Sequence, residues 1–95
     1  MRLSKYEQQS IKECFLEVFS EGSISLFGSR VDDSKKGGDI DLYIQTPKTQ
    51  ATLENKINFL ITLKDKIGEQ KIDVVLSKDK TRLIEQEALK HGVEL

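Results

Sequence analysis

Residues 26–44 read LFGSRVDDSKKGGDIDLYI, and this stretch decides the fold. The apolar run Ile24–Phe27 stops at Gly28, which predicts a short strand followed by a turn. Residues 29–38 are polar and end in two glycines, so they predict a loop with at most one helical turn after Gly28. Asp39–Ile44 then alternates strictly, which predicts a second strand with an apolar face and a face that carries Asp39, Asp41 and Tyr43.

The segments on either side of this stretch predict two long helices. Ser4 and Glu7 form a capping-box pattern at the start of a helix over Ser4–Phe19, which carries an apolar stripe that includes Cys14. Ala51–Ile67 contains no Gly or Pro and predicts the second helix, with Thr49 as its cap. Its expected apolar face consists of Leu53, Ile57, Leu60, Ile61 and Ile67. Phe59 lies at the edge of that face, where it is either a core residue or part of a partner surface.

The remaining residues complete an α/β (α+β) pattern. Ile72–Leu76 is β-branched and apolar except for Asp73, which predicts a buried strand. A last helix is expected over Lys80–Lys90, and Val93–Leu95 can add a final extended piece. The order predicts a small mixed β-sheet of three main strands and one or two short ones, with helices packed against it.

Length and composition limit the function. The chain has 95 residues, a net charge of −1 and one cysteine, so we expect a single domain over residues 1–95 without a disulfide or a cysteine zinc site. A nucleic-acid footprint needs a basic excess, which makes a nucleic-acid partner unlikely here. Neither a signal-peptide core nor an apolar run of the ~20 residues that span a bilayer is present. We therefore expect no membrane partner and a cytoplasmic location.

Three aspartates stand in predicted strands, where aspartate is unfavourable. Asp39 and Asp41 share one strand face, and Asp73 interrupts the later strand. If the two strands are neighbours, the three carboxylates converge and repel one another unless a cation neutralises them. Hard oxygen ligands favour Mg²⁺ or Mn²⁺, and a pair of such ions can activate an attacking oxygen and stabilise a leaving pyrophosphate.

Gly28 and Ser29 follow the first strand, in a position that suits a phosphate group. Glycine lets a ligand approach the backbone closely, and exposed amides after a strand bind phosphate oxygens together with a serine hydroxyl. Arg30 can add positive charge, as can Lys35 and Lys36 in the loop. A triphosphate cradle is therefore predicted just upstream in sequence of the metal-binding pair Asp39 and Asp41.

This combination of Gly28-Ser29, Asp39-Ile40-Asp41 and a later strand Asp73 resembles the polymerase β-type nucleotidyltransferase superfamily, and most closely its minimal nucleotidyltransferase group. The resemblance covers nearly the whole chain and implies the polymerase β-like fold. Members often carry a small residue, commonly serine, immediately before the first aspartate, where this chain has Gly38. It implies an enzyme in which an acceptor oxygen attacks the α-phosphorus of a nucleoside triphosphate, with ATP as the expected donor.

The resemblance also implies residue roles and a partner. Asp39 and Asp41 take the place of ligands to Mg²⁺ or Mn²⁺, and Asp73 that of a further metal ligand and the base or orienter for the acceptor hydroxyl. Gly28, Ser29 and Arg30 take the place of nucleotide-binding residues. Because 95 residues leave no room for an acceptor domain, we expect the acceptor on another chain. In the minimal group the partner is a helical HEPN toxin, and the transferase is the antitoxin that adenylylates a toxin tyrosine.

Other interpretations of these residues stay open. The chain can be a non-catalytic antitoxin that neutralises its partner by contact, or a homo-oligomeric transferase that acts on a small molecule. Asp39 and Asp41 can be edge-strand charges, and Asp73 can cap a turn at a strand end. For His91 the expectation is a favourable interaction with a helix end.

Overall fold

Three helices and four strands follow one another in the computed structural model, which describes residues 1–95. The elements are α1 (Lys5–Phe19), β1 (Ser23–Phe27), a 3-10 turn (Gly28–Val31), β2 (Ile40–Gln45), α2 (Leu53–Ile67), β3 (Ile72–Leu76), α3 (Leu83–His91) and β4 (Val93–Glu94). Each predicted element is present, although α3 begins at Leu83 rather than at Lys80, and the helical turn expected after Gly28 is the 3-10 turn. Asp39 lies just before β2 rather than inside it.

The four strands form one mixed sheet in the order β3-β2-β1-β4. β1 pairs antiparallel with both β2 and β4, whereas β2 pairs parallel with β3. A parallel neighbour needs a crossover connection, and α2 supplies it. The arrangement confirms the predicted α+β class with a small mixed sheet, and it is compatible with the polymerase β-like nucleotidyltransferase fold. It also places the two aspartate-bearing strands, β2 and β3, side by side.

The main core lies between one face of the sheet and the pair α1 and α2. Ser4 caps α1, and its hydroxyl accepts from the Glu7 amide at 3.0 Å while the Glu7 carboxylate accepts from the Ser4 amide at 2.9 Å, as the capping box predicts. The apolar face of β2 is fully buried, and Cys14 is a core residue. The buried members of this core are Ile11, Cys14, Phe15, Phe19, Ile24, Leu26, Ile40, Leu42, Ile44, Phe59, Leu63, Ile72 and Val74.

The orientation predicted for α2 is wrong in part. Thr52, not Thr49, caps the helix, and its hydroxyl accepts from the Asn55 amide at 3.1 Å. Phe59 and Leu63 are the fully buried residues, with Leu60 and Ile67 packed beside them. Three residues of the expected apolar face are instead 47–69% exposed: Leu53, Ile57 and Ile61. The buried set with Phe59 and the expected set with Ile57 both recur at helical spacing. The set with Phe59 is the buried one because Phe59 packs against Phe19 on α1.

α3 covers part of the opposite sheet face. Ala88 packs there against Phe27 and Tyr43 in a small second cluster. Because α3 is short, this cover is limited, and the part of the face that carries the aspartates is outside the cluster. None of the helices has the length and apolar character needed to cross a membrane.

Candidate active site

Asp41 and Asp73 lie next to each other on the sheet face opposite the main core. In the parallel pairing of β2 with β3 they are direct register partners. The register follows from burial, since shifting either strand by one residue would turn its apolar side chains out of the core. Asp41 is half-buried and Asp73 is exposed, so the pair opens to solvent at the Asp73 side.

The environment of Asp41 disfavours its negative charge. Burial raises the pKa of this carboxyl above its usual value, and the neighbouring charges of Asp73 and Asp39 add to the increase. A hydrogen bond from the protonated Asp41 to Asp73 acts in the same direction, and Lys71 opposes it. Two neighbouring carboxylates that repel each other form a site that a cation would stabilise.

Asp39 acts electrostatically on Asp41 and also forms an ion pair with a lysine. It precedes β2, and its carboxylate lies 3.4 Å from the Lys71 ammonium on the segment that leads into β3. No three acidic, histidine or cysteine side chains are arranged as a ready metal cage. The structure therefore pairs Asp41 with Asp73 in register, whereas Asp39, whose charge also acts on Asp41, is in an ion pair with Lys71.

The donor set suits a hard divalent cation. Asp41 and Asp73 offer carboxylate oxygens only, and oxygen ligands on a solvent-open face are typical of Mg²⁺ and Mn²⁺ sites. Asp41 and Asp73 would therefore hold the ion, and Asp39 is available as a third ligand if Lys71 releases it.

The turn after β1 comes directly against Asp41. Gly28 begins the 3-10 turn with a φ of 75°, in the left-handed region that favours glycine. A Cβ atom at this position would collide with Oδ2 of Asp41. The first amides of the turn have no partner inside it, and Ser29 adds a hydroxyl. The predicted phosphate turn and the carboxylate pair are therefore in contact.

Two arginines hold this turn in place. Arg30 donates from Nε to the Gly38 carbonyl at 3.2 Å and from Nη1 to the Arg2 carbonyl at 2.9 Å. Arg2 donates from Nη2 to the Ser29 carbonyl at 2.9 Å. Arg30 was predicted as a nucleotide-binding residue, and its side chain is engaged with the backbone beside Ser29. The sequence of the N-terminal segment carries no pattern that links Arg2 to the turn.

Gly38 is the second glycine that the turn needs. Its φ is 90°, and a Cβ there would collide with Oγ of Ser29. The residue before Asp39 is therefore in contact with the turn, which explains physically why a glycine stands there.

A cavity of about 430 Å³ lies between the turn and α3. Gly28 and Ser29 form one wall, Glu87 and His91 of α3 the other, and Lys35 contributes from the loop. His91 is the last residue of α3, as its predicted place at a helix end requires, but it also faces the turn across this cavity. Sequence spacing gives no sign that Glu87 lines this cavity, because α3 and the turn come together only in the tertiary fold.

A buried carboxylate supports the same sheet face. Glu85 of α3 is fully buried and accepts from the Tyr43 hydroxyl and the Ser77 hydroxyl, both at 2.7 Å. It also accepts from the amides of Lys78 and Asp79 at 3.0 and 2.8 Å.

These hydrogen bonds hold the pKa of Glu85 far below its usual range although burial acts in the opposite direction. Tyr43 therefore anchors α3 to the carboxylate-bearing face. Its own pKa is raised, chiefly by burial.

Comparison with known proteins agrees with this geometry. A search among curated proteins found no match. The family model described as "Polymerase beta, Nucleotidyltransferase" matches residues 9–95, which include every strand and all but the first turn of α1. The chain therefore belongs to the polymerase β-type nucleotidyltransferase family.

Proposed function

We propose that this protein transfers AMP from ATP to a hydroxyl group of a partner protein. The observation that carries the proposal is the pairing of Asp41 with Asp73, with Gly28 packed against Asp41. Membership in the family supports nucleotidyl transfer in general. Asp73 is exposed at the open side of the pair, where an acceptor can approach without displacing any element of the fold.

In the proposed reaction the acceptor oxygen forms a bond to the α-phosphorus of ATP. The bond from that phosphorus to the oxygen that bridges to the β-phosphate breaks, and pyrophosphate leaves. Asp73 accepts the hydroxyl proton, and Gly28 and Ser29 orient the phosphates. A bound Mg²⁺ or Mn²⁺ would supply charge neutralisation for the triphosphate and the carboxylates. The contribution of these residues is positioning and electrostatic stabilisation.

As the acceptor we propose a tyrosine of a HEPN-type toxin, which would make the protein an antitoxin. The resemblance to the minimal nucleotidyltransferase group supports this choice. The slight net negative charge supports a protein acceptor over a nucleic acid, since phosphate backbones need a basic surface.

One observation favours a second function. Asp39 is paired with Lys71, so the predicted metal triad is incomplete in the free chain. A protein that neutralises its partner by contact alone needs no complete triad. The two functions differ in whether the partner becomes covalently labelled.

The test incubates the purified protein with a HEPN-type toxin, Mg²⁺ and ATP labelled at the α-phosphate. We expect label on a tyrosine of the toxin, none when the label is in the γ-phosphate, and loss of labelling in the Asp39→Asn/Asp41→Asn double variant. Labelling that survives in the double variant contradicts the assignment. Toxin that is neutralised without any label would establish the contact-only function instead.

A further inference from the structure

A groove runs along the outer edge of β3, away from the cavity beside Gly28. It encloses about 330 Å³ between the start of α2 and the start of α3. Val74 and Leu76 of the strand also pack on the main core, whereas Val75 packs on the opposite cluster, so the groove follows the edge between the two sheet faces. Its apolar lining is Ala51, Leu53, Val74, Val75, Leu76 and Ile84.

The backbone of β3 is open on this side. The strand is last in the sheet order and has β2 as its single neighbour. The Lys71 carbonyl and the Ser77 amide both bond to β2, so the alternate residue Val74 points its N–H and C=O into the groove. The Leu76 carbonyl also points outward, and Arg82 donates to it at 3.0 Å. An extended peptide can therefore pair with the edge at Val74.

The charge around the groove is one-sided. Its polar lining consists of Lys56, Lys78 and Arg82, and no acidic side chain lines it. Arg82 is neutralised by Glu85 at 2.8 Å, whereas the ammonium groups of Lys56 and Lys78 take part in no ion pair. The groove thus offers an apolar floor with two free cations at its rim.

This charge pattern indicates which class of partner fits the groove. A second copy seated symmetrically would bring like charges together, which is unfavourable. A nucleic acid would leave the apolar floor without a partner. A protein segment with alternating apolar and acidic side chains satisfies the floor, the cations and the open backbone together.

We propose that the edge of β3 binds an extended, acidic and apolar segment of the acceptor protein by strand addition. The inference rests on the proposed function, because it makes the groove the docking site for the acceptor. Val75 is two residues beyond Asp73 on the same sheet face, about 7 Å along the strand. A segment paired with β3 therefore places its own side chains beside Asp73.

The experiment selects binders from a displayed library of random 12-residue peptides on the protein of residues 1–95, without nucleotide or metal. Affinities of the selected peptides are measured by fluorescence anisotropy. The groove variants are Lys78→Glu and Ile84→Asp. Their matched controls are Lys12→Glu, an exposed lysine on α1, and Leu89→Asp, which is 45% exposed on α3 where Ile84 is 43% exposed.

We expect the selected peptides to carry Asp or Glu. Affinity should fall about tenfold in each groove variant, and also when the acidic residues of the peptide are replaced by their amides. A change of this size corresponds to the loss of one desolvated charge contact. The controls should bind within about twofold of the wild type. N-methylation of every second peptide residue should abolish binding when the methylated residues are those whose N–H groups face β3. Methylation of the other residues should leave binding unchanged. Peptides without acids, equal binding by groove and control variants, or no dependence on which residues are methylated would overturn the proposal.

The transferase assay separates this proposal from the proposed function. If Ile84→Asp labels the acceptor as well as the wild type does, the groove is not the docking site, although transfer itself stands. If acidic peptides bind the groove but no acceptor is ever labelled, the docking site stands and the proposed transfer fails.

Discussion

At Gly28 the end of β1, the phosphate turn and the Asp41 carboxylate meet, so one added methyl group should disturb all three. Gly28→Ala introduces a Cβ that collides with Asp41 Oδ2 at a φ of 75°. The backbone strain alone costs about 1–2 kcal/mol. We expect urea denaturation to show a loss of unfolding free energy that exceeds this strain, because the collision adds to it. We also expect weaker binding of MgATP.

Gly37→Ala is the matched control for this variant. Gly37 has a φ of 65°, and nothing lies within 4 Å of a Cβ built on it. The control therefore carries the strain of a left-handed backbone without the collision, about 1–2 kcal/mol, and should keep its affinity for MgATP. Equal losses of stability and affinity in both variants would show that contact with Asp41 is unimportant.

Asp41 should lower stability when no cation is present. The pKa of this carboxyl is raised in the folded protein, chiefly by burial, so the unfolded chain ionises more readily. The resulting penalty is absent below the unfolded pKa of about 3.9 and complete once pH exceeds the folded pKa. In EDTA at pH 7, Asp41→Asn should raise the melting temperature by a few degrees. In a thermal-shift titration, Mg²⁺ should stabilise the wild type and not the variant.

Two results would contradict this account of Asp41. One is a variant that melts below the wild type in EDTA, and the other is equal stabilisation of both proteins by Mg²⁺. Asp65→Asn is a suitable control, because Asp65 is exposed on α2 and forms no ion pair.

The attachment of α3 depends on Glu85 more than on apolar contact. α3 buries Ala88 and Glu85, and the carboxylate accepts hydrogen bonds from β2 and from the segment between β3 and α3. Glu85→Gln replaces an acceptor with a donor beside amides and hydroxyls. We expect a loss of about 2–3 kcal/mol at pH 7, the cost of buried donors left without a partner.

The pH dependence supplies a second readout for Glu85. The pKa of Glu85 is strongly lowered by folding, so its contribution is complete above the unfolded value near 4.5 and is lost as pH falls through the folded value. Wild-type stability should therefore decrease from pH 5 to pH 3 more steeply than that of Glu85→Gln. Glu87→Gln, exposed on the same helix, should keep the wild-type slope. Parallel slopes in the wild type and Glu85→Gln would contradict the role of this carboxylate.

The elements themselves were largely predictable, but their contacts were not. Alternation in β2 predicted both of its faces, and the capping box predicted the start of α1. α2 carries two apolar stripes at helical spacing, so the periodicity could not decide between Phe59 and Ile61; tertiary packing decides it. Glu85 gave no signal, because Tyr43 is 42 positions away along the chain. Asp41 and Asp73 were expected to meet, whereas the ion pair of Asp39 with Lys71 depends on the path into β3.

In the molecule as a whole, stability and the candidate chemistry occupy different faces of the sheet. Thirteen buried residues form the core on the α1–α2 face, whereas three form the cluster beneath α3. Residues 32–38 between the turn and Asp39 are exposed and contain no helix or strand. Exposed backbone with few buried contacts opens at low free energy, whereas core strands open only with global unfolding. The residues proposed to bind nucleotide therefore border an exposed segment that is expected to open at low free energy.

Hydrogen exchange measured by mass spectrometry should reproduce this division. In the free protein, peptides from β2 and α1 should exchange slowest, and peptides from residues 32–38 fastest. Adding Mg²⁺ with an ATP analogue that has a methylene bridge between the α- and β-phosphates blocks turnover, so it reports binding alone. New protection should appear over Gly28–Val31, at the start of β2 and at the end of α3 beside His91. The same addition to Asp41→Asn should produce none of it. Protection confined to the groove at the edge of β3, or equal protection in Asp41→Asn, would place the nucleotide elsewhere, because the contact between Gly28 and Asp41 requires the turn and the carboxylate to respond together.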